Sequence, residues 1–154
     1  MSQRLLLVGC GEPAAAKETD AFARSFAEAE VDRVLMPGGC WWLAEAASAT
    51  SGRFRRAILG EHVPVRDALI RFITDTAIGR VILLSHQGCE WYARQFPDLT
   101  GGEQLKHAGA DMFAARDELL RIGPPELVVE GHVYIAGGPV PGFRQLFPSA
   151  SIGA

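Results

Sequence analysis

The sequence predicts an α/β fold, a mainly parallel, doubly wound sheet of about five strands flanked by helices. Two observations carry that reading. The runs Leu5-Leu6-Leu7-Val8 and Val81-Ile82-Leu83-Leu84 are apolar without alternation, as expected of short strands buried on both faces. Segments with apolar residues at helical spacing separate such runs, and helix feeding strand is the parallel crossover unit.

The first strand ends in Gly9-Cys10, and Pro13 then stands where a first helical turn tolerates proline. Phe22 and Phe26, four apart on one face, carry that helix to about Glu30. Val31 to Met36 reads as a shorter strand stopped by Pro37-Gly38-Gly39, after which a helix begins at Cys40 and loses its pattern around Ser48–Gly52. The stretch from there to Pro64 reads as a loop. From Val65, the spacing of Ala68, Leu69, Phe72, Ile73 and Thr76 gives a helical apolar face, with Gly79 as the expected left-handed cap. The central strand Val81–Leu84 follows and hands over to Ser85-His86-Gln87-Gly88-Cys89. Trp91, Tyr92 and Phe96 suggest a brief helix ended by Pro97, and a longer one from Gly101-Gly102 is terminated by Gly123-Pro124-Pro125. Leu127 to Ile135 reads as a strand, and Gly137-Gly138 turns into a last strand near Phe143–Phe147.

Composition narrows the function classes. A chain of 154 residues is expected to form a single domain over 1–154 and can bury a sizeable core. A formal net charge of -3 gives no reason to expect nucleic acid, whose binders carry clustered positive charge. Arg53, Arg55 and Arg56 make the one basic cluster, in the segment read as a loop. The apolar runs fall far short of the roughly 18 residues a membrane span requires, so a soluble, cytoplasmic protein is expected. Three cysteines, an odd number, fit a reducing compartment in which Cys serves as ligand, nucleophile or core filler.

Cys10 and the pair His86/Cys89 fall at the carboxyl ends of two strands that a doubly wound order places side by side. Ligands bind at that edge in open α/β sheets. Two thiolates and one imidazole are a known zinc set that leaves a fourth position for water or substrate. Two thiolates neutralise the charge of Zn2+, so a neighbouring group is needed to activate the water.

Cys10-x-Glu12, Pro37-Gly38-Gly39, His86-x-x-Cys89 and Gly131-His132-Val133-Tyr134, in that order and at those strand ends, resemble the motifs of the β-class carbonic anhydrases. The likeness runs from Arg4 to about Phe147. The family's motifs read C-x-D-x-R, N-A-G-G, H-x-x-C and G-hydrophobic-x-Y. The resemblance implies zinc held by Cys10, His86 and Cys89, with Glu12 in the place of the family's catalytic Asp. It also implies a homodimer or higher homo-oligomer. Three departures stand out: Glu12 is one methylene longer than Asp, Ala14 stands where the family has the Arg that holds the Asp off the metal, and Met36-Pro37 replace the Asn. Without a guanidinium partner Glu12 is freer to ligate zinc and close the site.

The expected function is therefore a zinc-dependent hydro-lyase that activates water toward carbon dioxide or a similar small electrophile such as carbonyl sulfide. Gly38, Gly39, Cys40 and Gln87 are the expected substrate-pocket residues. The alternative is a degenerate homologue whose closed zinc site is structural and whose fold serves as a binding or regulatory module. Trp41, Trp42, Trp91 and Tyr92 flank the site in sequence and are read as core or interface aromatics.

Overall fold

The computed structural model of the chain describes residues 3–50, 62–137 and 142–147, without the side chains of 48–50 and 62. In chain order the elements are β1 (Arg4–Cys10), α1 (Pro13–Arg24), β2 (Glu30–Met36), α2 (Trp41–Thr50), α3 (His62–Asp75), β3 (Arg80–His86), α4 (Glu90–Gln95), α5 (Gly101–Ile122), β4 (Val128–Ile135) and β5 (Gly142–Phe147). The strands form one sheet in the order β2-β1-β3-β4-β5. Neighbours from β2 to β4 pair in parallel, and β5 closes the edge antiparallel to β4, with a register shift between Gly131 and His132. The adjacency of β1 and β3 is what brings Cys10 toward His86.

The unbroken apolar runs serve two faces at once, because successive side chains of a strand point to opposite sides. Leu6, Val8, Val81 and Leu83 pack into the larger core with Trp42 and Leu43 of α2, Leu69 and Ile73 of α3, and Met112 and Leu119 of α5. Leu5, Leu7, Ile82 and Leu84 pack on the other face with Ala23, Phe22 and Phe26. Each fully buried aliphatic side chain contributes about 1.5–3 kcal/mol. No helix among the described residues is long and apolar enough to cross a membrane.

Three boundaries differ from expectation. Helix α1 stops at Arg24, where the Ser25 hydroxyl donates to the Phe22 carbonyl at 2.6 Å and competes with continued helix. The Phe22–Phe26 contact survives this, edge to face at 5.3 Å, so the spacing reported a real contact outside the helix. Helix α3 begins at His62, so Pro64 lies in its first turn, where proline needs no acceptor. The rest of the segment read as a loop, 51–61, with Arg53, Arg55 and Arg56, lies outside the described residues.

The third difference is at the end of α3. The left-handed residue is Ala77 (φ 53°), two positions before Gly79. The N–H of Ile78 bonds the Ile73 carbonyl and that of Ala77 the Thr74 carbonyl, the paired pattern of a Schellman cap, and both isoleucines are buried. The contact between Ile73 and Ile78 fixes where the chain turns, and the alanine accepts the strain. Ala77→Gly is expected to stabilise by about 0.5–1 kcal/mol, since relief of about 1–2 kcal/mol exceeds the entropy glycine costs. A higher urea midpoint at unchanged slope bears this out; a lower midpoint contradicts it.

Helix α5 starts with a capping box, Thr100 accepting from the Glu103 N–H at 3.3 Å while the Glu103 carboxylate accepts from the Thr100 N–H at 2.8 Å. Further along, buried Glu118 accepts from Arg66 at 2.5 Å and from Arg121 at 2.8 and 3.0 Å. Burial pushes the Glu118 carboxyl up, but the hydrogen bonds from Arg121 and Arg66 outweigh it and hold it below its usual value. A group depressed in the folded state stabilises above its unfolded pKa, about 4.3 for Glu, and loses that contribution as pH falls through the folded value. Acid unfolding is therefore expected to be shallower between neutral pH and pH of about 2 in Glu118→Gln than in the parent chain. Equal acid slopes in the two proteins would contradict that assignment.

Candidate metal centre

Cys10 is the last residue of β1, and Gly11 and Glu12 lead into α1. His86 is the last residue of β3, Gly88 turns the chain with φ of 73°, and Cys89 is the N-cap of α4. Four side chains meet at this edge: one ligand atom each from Cys10, Glu12, His86 and Cys89 all lie within 4.8 Å of one another. The two sulfurs are 4.0 Å apart, and Glu12 Oε1 lies 3.3 Å from Cys89 Sγ.

The tautomer of His86 follows from its partners. Nδ1 lies 3.1 Å from the Gln87 carbonyl, an acceptor only, so Nδ1 carries the proton and donates. Nε2 is then a bare lone pair, it is buried, and it has no hydrogen-bond partner among the described residues. Glu12 Oε2 stands 3.6 Å away, beyond hydrogen-bond reach. A buried acceptor left unpaired costs about 1–3 kcal/mol, and it faces two thiols and a carboxylate. That donor set fits a metal of the zinc type: two soft sulfurs, an imidazole fixed through its other nitrogen, and a carboxylate oxygen.

Electrostatics favour Cys10 as the first thiolate. The hydrogen bond from the Cys89 thiol lowers the Cys10 pKa most, burial opposes it, and the backbone N–H groups of Glu12 and Gly38 add to the lowering. Cys89 is pushed up by the same pairing and by burial. One sulfur is thus anionic before the other, which is how a cation would first be drawn in.

The turn after β2 is built for this edge. Gly38 (φ 76°) and Gly39 (φ 71°) are both left-handed, and the Gly39 N–H returns to the Met36 carbonyl at 2.9 Å. A Cβ on Gly38 would come within 2.4 Å of Trp41 Cδ1 and 2.8 Å of Trp91 Cδ2. Trp41 and Trp91 stack at 4.3 Å above that glycine, and Trp41 Nε1 donates to the Pro37 carbonyl at 2.6 Å. The aromatic pair thus roofs the loop that reaches Cys10.

Other expected residues take different places. Cys40 is fully buried in the larger core, where burial and the nearby Asp111 carboxylate push its thiol up, and it is not among the four gathered groups. Gln87 is exposed and its Oε1 accepts from the N–H groups of Ala136 and Gly137 at 3.3 and 3.4 Å, tying the site to the end of β4. Ala14 is an exposed residue in the first turn of α1. Two residues that the sequence reading did not place at the site are involved. The Trp91 N–H donates to Glu12 Oε1 at 3.2 Å, and Tyr92 OH donates to Asp111 Oδ2 at 2.5 Å behind it. Two cavities of about 10 Å³ lie beside the cluster, one against His86, Cys89 and Tyr92 and one against Cys10, Ser85 and His86. Each is about the size of one water.

No family model matches the chain, and no curated protein matches it. Among solved structures, a β-carbonic anhydrase, CafD, of the filamentous fungus Aspergillus fumigatus is similar at a TM-score of 0.52 and 17% identity, over 95% of this chain and 90% of that one. A second β-carbonic anhydrase of the same fungus, CafA, is similar at a TM-score of 0.52 and 14% identity, over 95% of this chain and 76% of that one. The chain has a divergent β-carbonic anhydrase-like fold.

Proposed function

We propose that this protein is a zinc-dependent lyase that hydrates carbon dioxide or a similarly small electrophile. One observation carries the proposal: ligand atoms of Cys10, Glu12, His86 and Cys89 converge within 4.8 Å, and the buried His86 Nε2 is unpaired among the described residues. The similarity to β-carbonic anhydrase structures supports the choice of reaction.

Cys10, His86 and Cys89 would hold the metal. Zinc bound there supplies Lewis acidity and lowers the pKa of water. The rest is the work of this chain's own residues. The Gln87 carbonyl fixes the His86 ring by accepting from Nδ1. The N–H groups of Glu12 and Gly38 favour the thiolate of Cys10 and so temper the charge it donates. Glu12, held at Oε1 by the Trp91 N–H, keeps Oε2 turned toward His86, where it can orient a water and take its proton. The stacked Trp41 and Trp91 keep bulk water from the Gly38 loop.

The water-sized cavities favour a second reading, in which the Glu12 carboxylate completes a closed four-ligand site and the metal is structural. Anion access separates the two. In the cobalt-substituted protein, thiocyanate is expected to change the visible spectrum of an open site and to leave a closed one unaltered. Zinc at one equivalent with measurable stopped-flow hydration that falls by about 10²-fold or more in Glu12→Gln supports the lyase. Zinc without hydration at any pH, together with no response to thiocyanate, overturns it.

A further inference from the structure

Among the described residues no guanidinium holds Glu12, and Ala14, two residues on, is exposed. What holds its Oε1 is the Trp91 N–H at 3.2 Å. Trp91 is the second residue of α4, a position whose N–H has no acceptor within its own helix. Glu12 is thus the group that satisfies it, and the strength of that hold depends on where the first turn of α4 sits. Helix α4 is only six residues long with no side-chain cap at Cys89, so its own hydrogen bonds fix its first turn weakly.

Its anchor is the next residue. Tyr92 is buried, with its ring in the cluster around Cys10, Ala15, Cys89 and Ala108, and its hydroxyl donates to Asp111 on α5 at 2.5 Å. Asp111 is an expensive partner. Burial raises its carboxyl to about 6 despite the Tyr92 hydrogen bond, and Glu45 of α2 adds to the rise while His107 opposes it. Packing alone would be served by Tyr92 against an apolar residue, without a partly buried carboxyl.

We propose that Tyr92 and Asp111 are positioning residues for Glu12: their hydrogen bond fixes the first turn of α4, and the Trp91 N–H of that turn holds the carboxylate, to which no described residue offers a guanidinium. The proposal rests on the reading of Glu12 as the working carboxylate, and it assigns no contact with substrate or metal to either residue.

Amide hydrogen exchange, read by NMR on the protein as purified, tests it without an activity assay. Glu12→Ala is expected to speed exchange at Trp91 by about tenfold, the lower end for loss of a charge-assisted hydrogen bond. Tyr92→Phe, which keeps the ring, is expected to speed the same amide by a similar factor and to add nothing in the double variant. Asp111→Asn retains an oxygen for the tyrosine hydroxyl and is expected to stay near the parent rate, whereas Asp111→Leu is not. The proposal is overturned if Trp91 responds to neither Glu12→Ala nor Tyr92→Phe, or if Tyr92→Phe leaves it within about twofold of the parent while Glu12→Ala does not. Equal loss of protection at Met112 and Leu119 of α5 in Tyr92→Phe also overturns it, because that marks a general packing role. Metal content and hydration play no part in this readout, so a parent chain without lyase activity would sink the functional proposal and leave this one standing.

Discussion

Cys89→Ser is expected to strip the chain of its zinc. The substitution is close to isosteric, and the fold around it has little to repack. What it removes is one of two sulfurs 4.0 Å apart, and with it the thiol whose hydrogen bond most favours the Cys10 thiolate. A hydroxyl at that point is a poor ligand near neutral pH. Loss of groups that merely orient metal ligands costs about 10–100-fold in affinity, so loss of a ligand itself is expected to exceed that range. Hydration, where measured, is expected to vanish with the metal. Competition with a zinc-chelating dye gives the affinity directly. Retention of zinc within about tenfold of the parent would remove Cys89 from the ligand set.

Trp42→Ala is expected to have the largest effect on stability. The Trp42 side chain is fully buried between the sheet, α2 and the helices α3 and α5, in the same core as Leu6, Val8, Ile73 and Met112. Truncation removes the indole and leaves a cavity that the flanking strands cannot close, at a cost of about 3–5 kcal/mol. Against a typical domain stability of about 5–15 kcal/mol, that is a large share of the total. Its Nε1 has no hydrogen-bond partner among the described residues, so Trp42→Phe gives up less: it keeps an aromatic ring and discards a buried unsatisfied donor. Urea unfolding of the two variants is expected to rank them in that order. A Trp42→Ala cost below about 1.5 kcal/mol would mean the core collapses around the vacancy.

The centre of the sheet was legible because β1 and β3 are two-sided. Leu5 to Val8 and Val81 to Leu84 are apolar at every position, and only a strand with packing on both faces requires that. The gathering of candidate ligands was legible for a related reason, since Cys10, His86 and Cys89 stand where such runs stop and the chain must leave the sheet. The helix ends were less so. Ser25 ends α1 through its own hydroxyl, and Ala77 takes a left-handed turn that composition assigns to Gly79, because the Ile73–Ile78 contact decides the matter. Cys40 follows the Gly38-Gly39 turn in sequence but enters the core, as the first turn of α2 swings it away from the edge. The Tyr92–Asp111 bond left no trace in sequence. It joins two helices across 19 residues, and an Asp in a long amphipathic helix reads as solvated surface.

The most direct test of the account is the zinc content of the purified chain, measured alongside the number of titratable thiols before and after chelation. The account predicts one zinc per chain, with Cys10 and Cys89 shielded from thiol reagent until the metal is withdrawn and Cys40 shielded until the protein unfolds. A chain grown with ample zinc that carries no stoichiometric metal, and whose Cys10 and Cys89 react at once, would contradict the metal centre and with it the proposed chemistry.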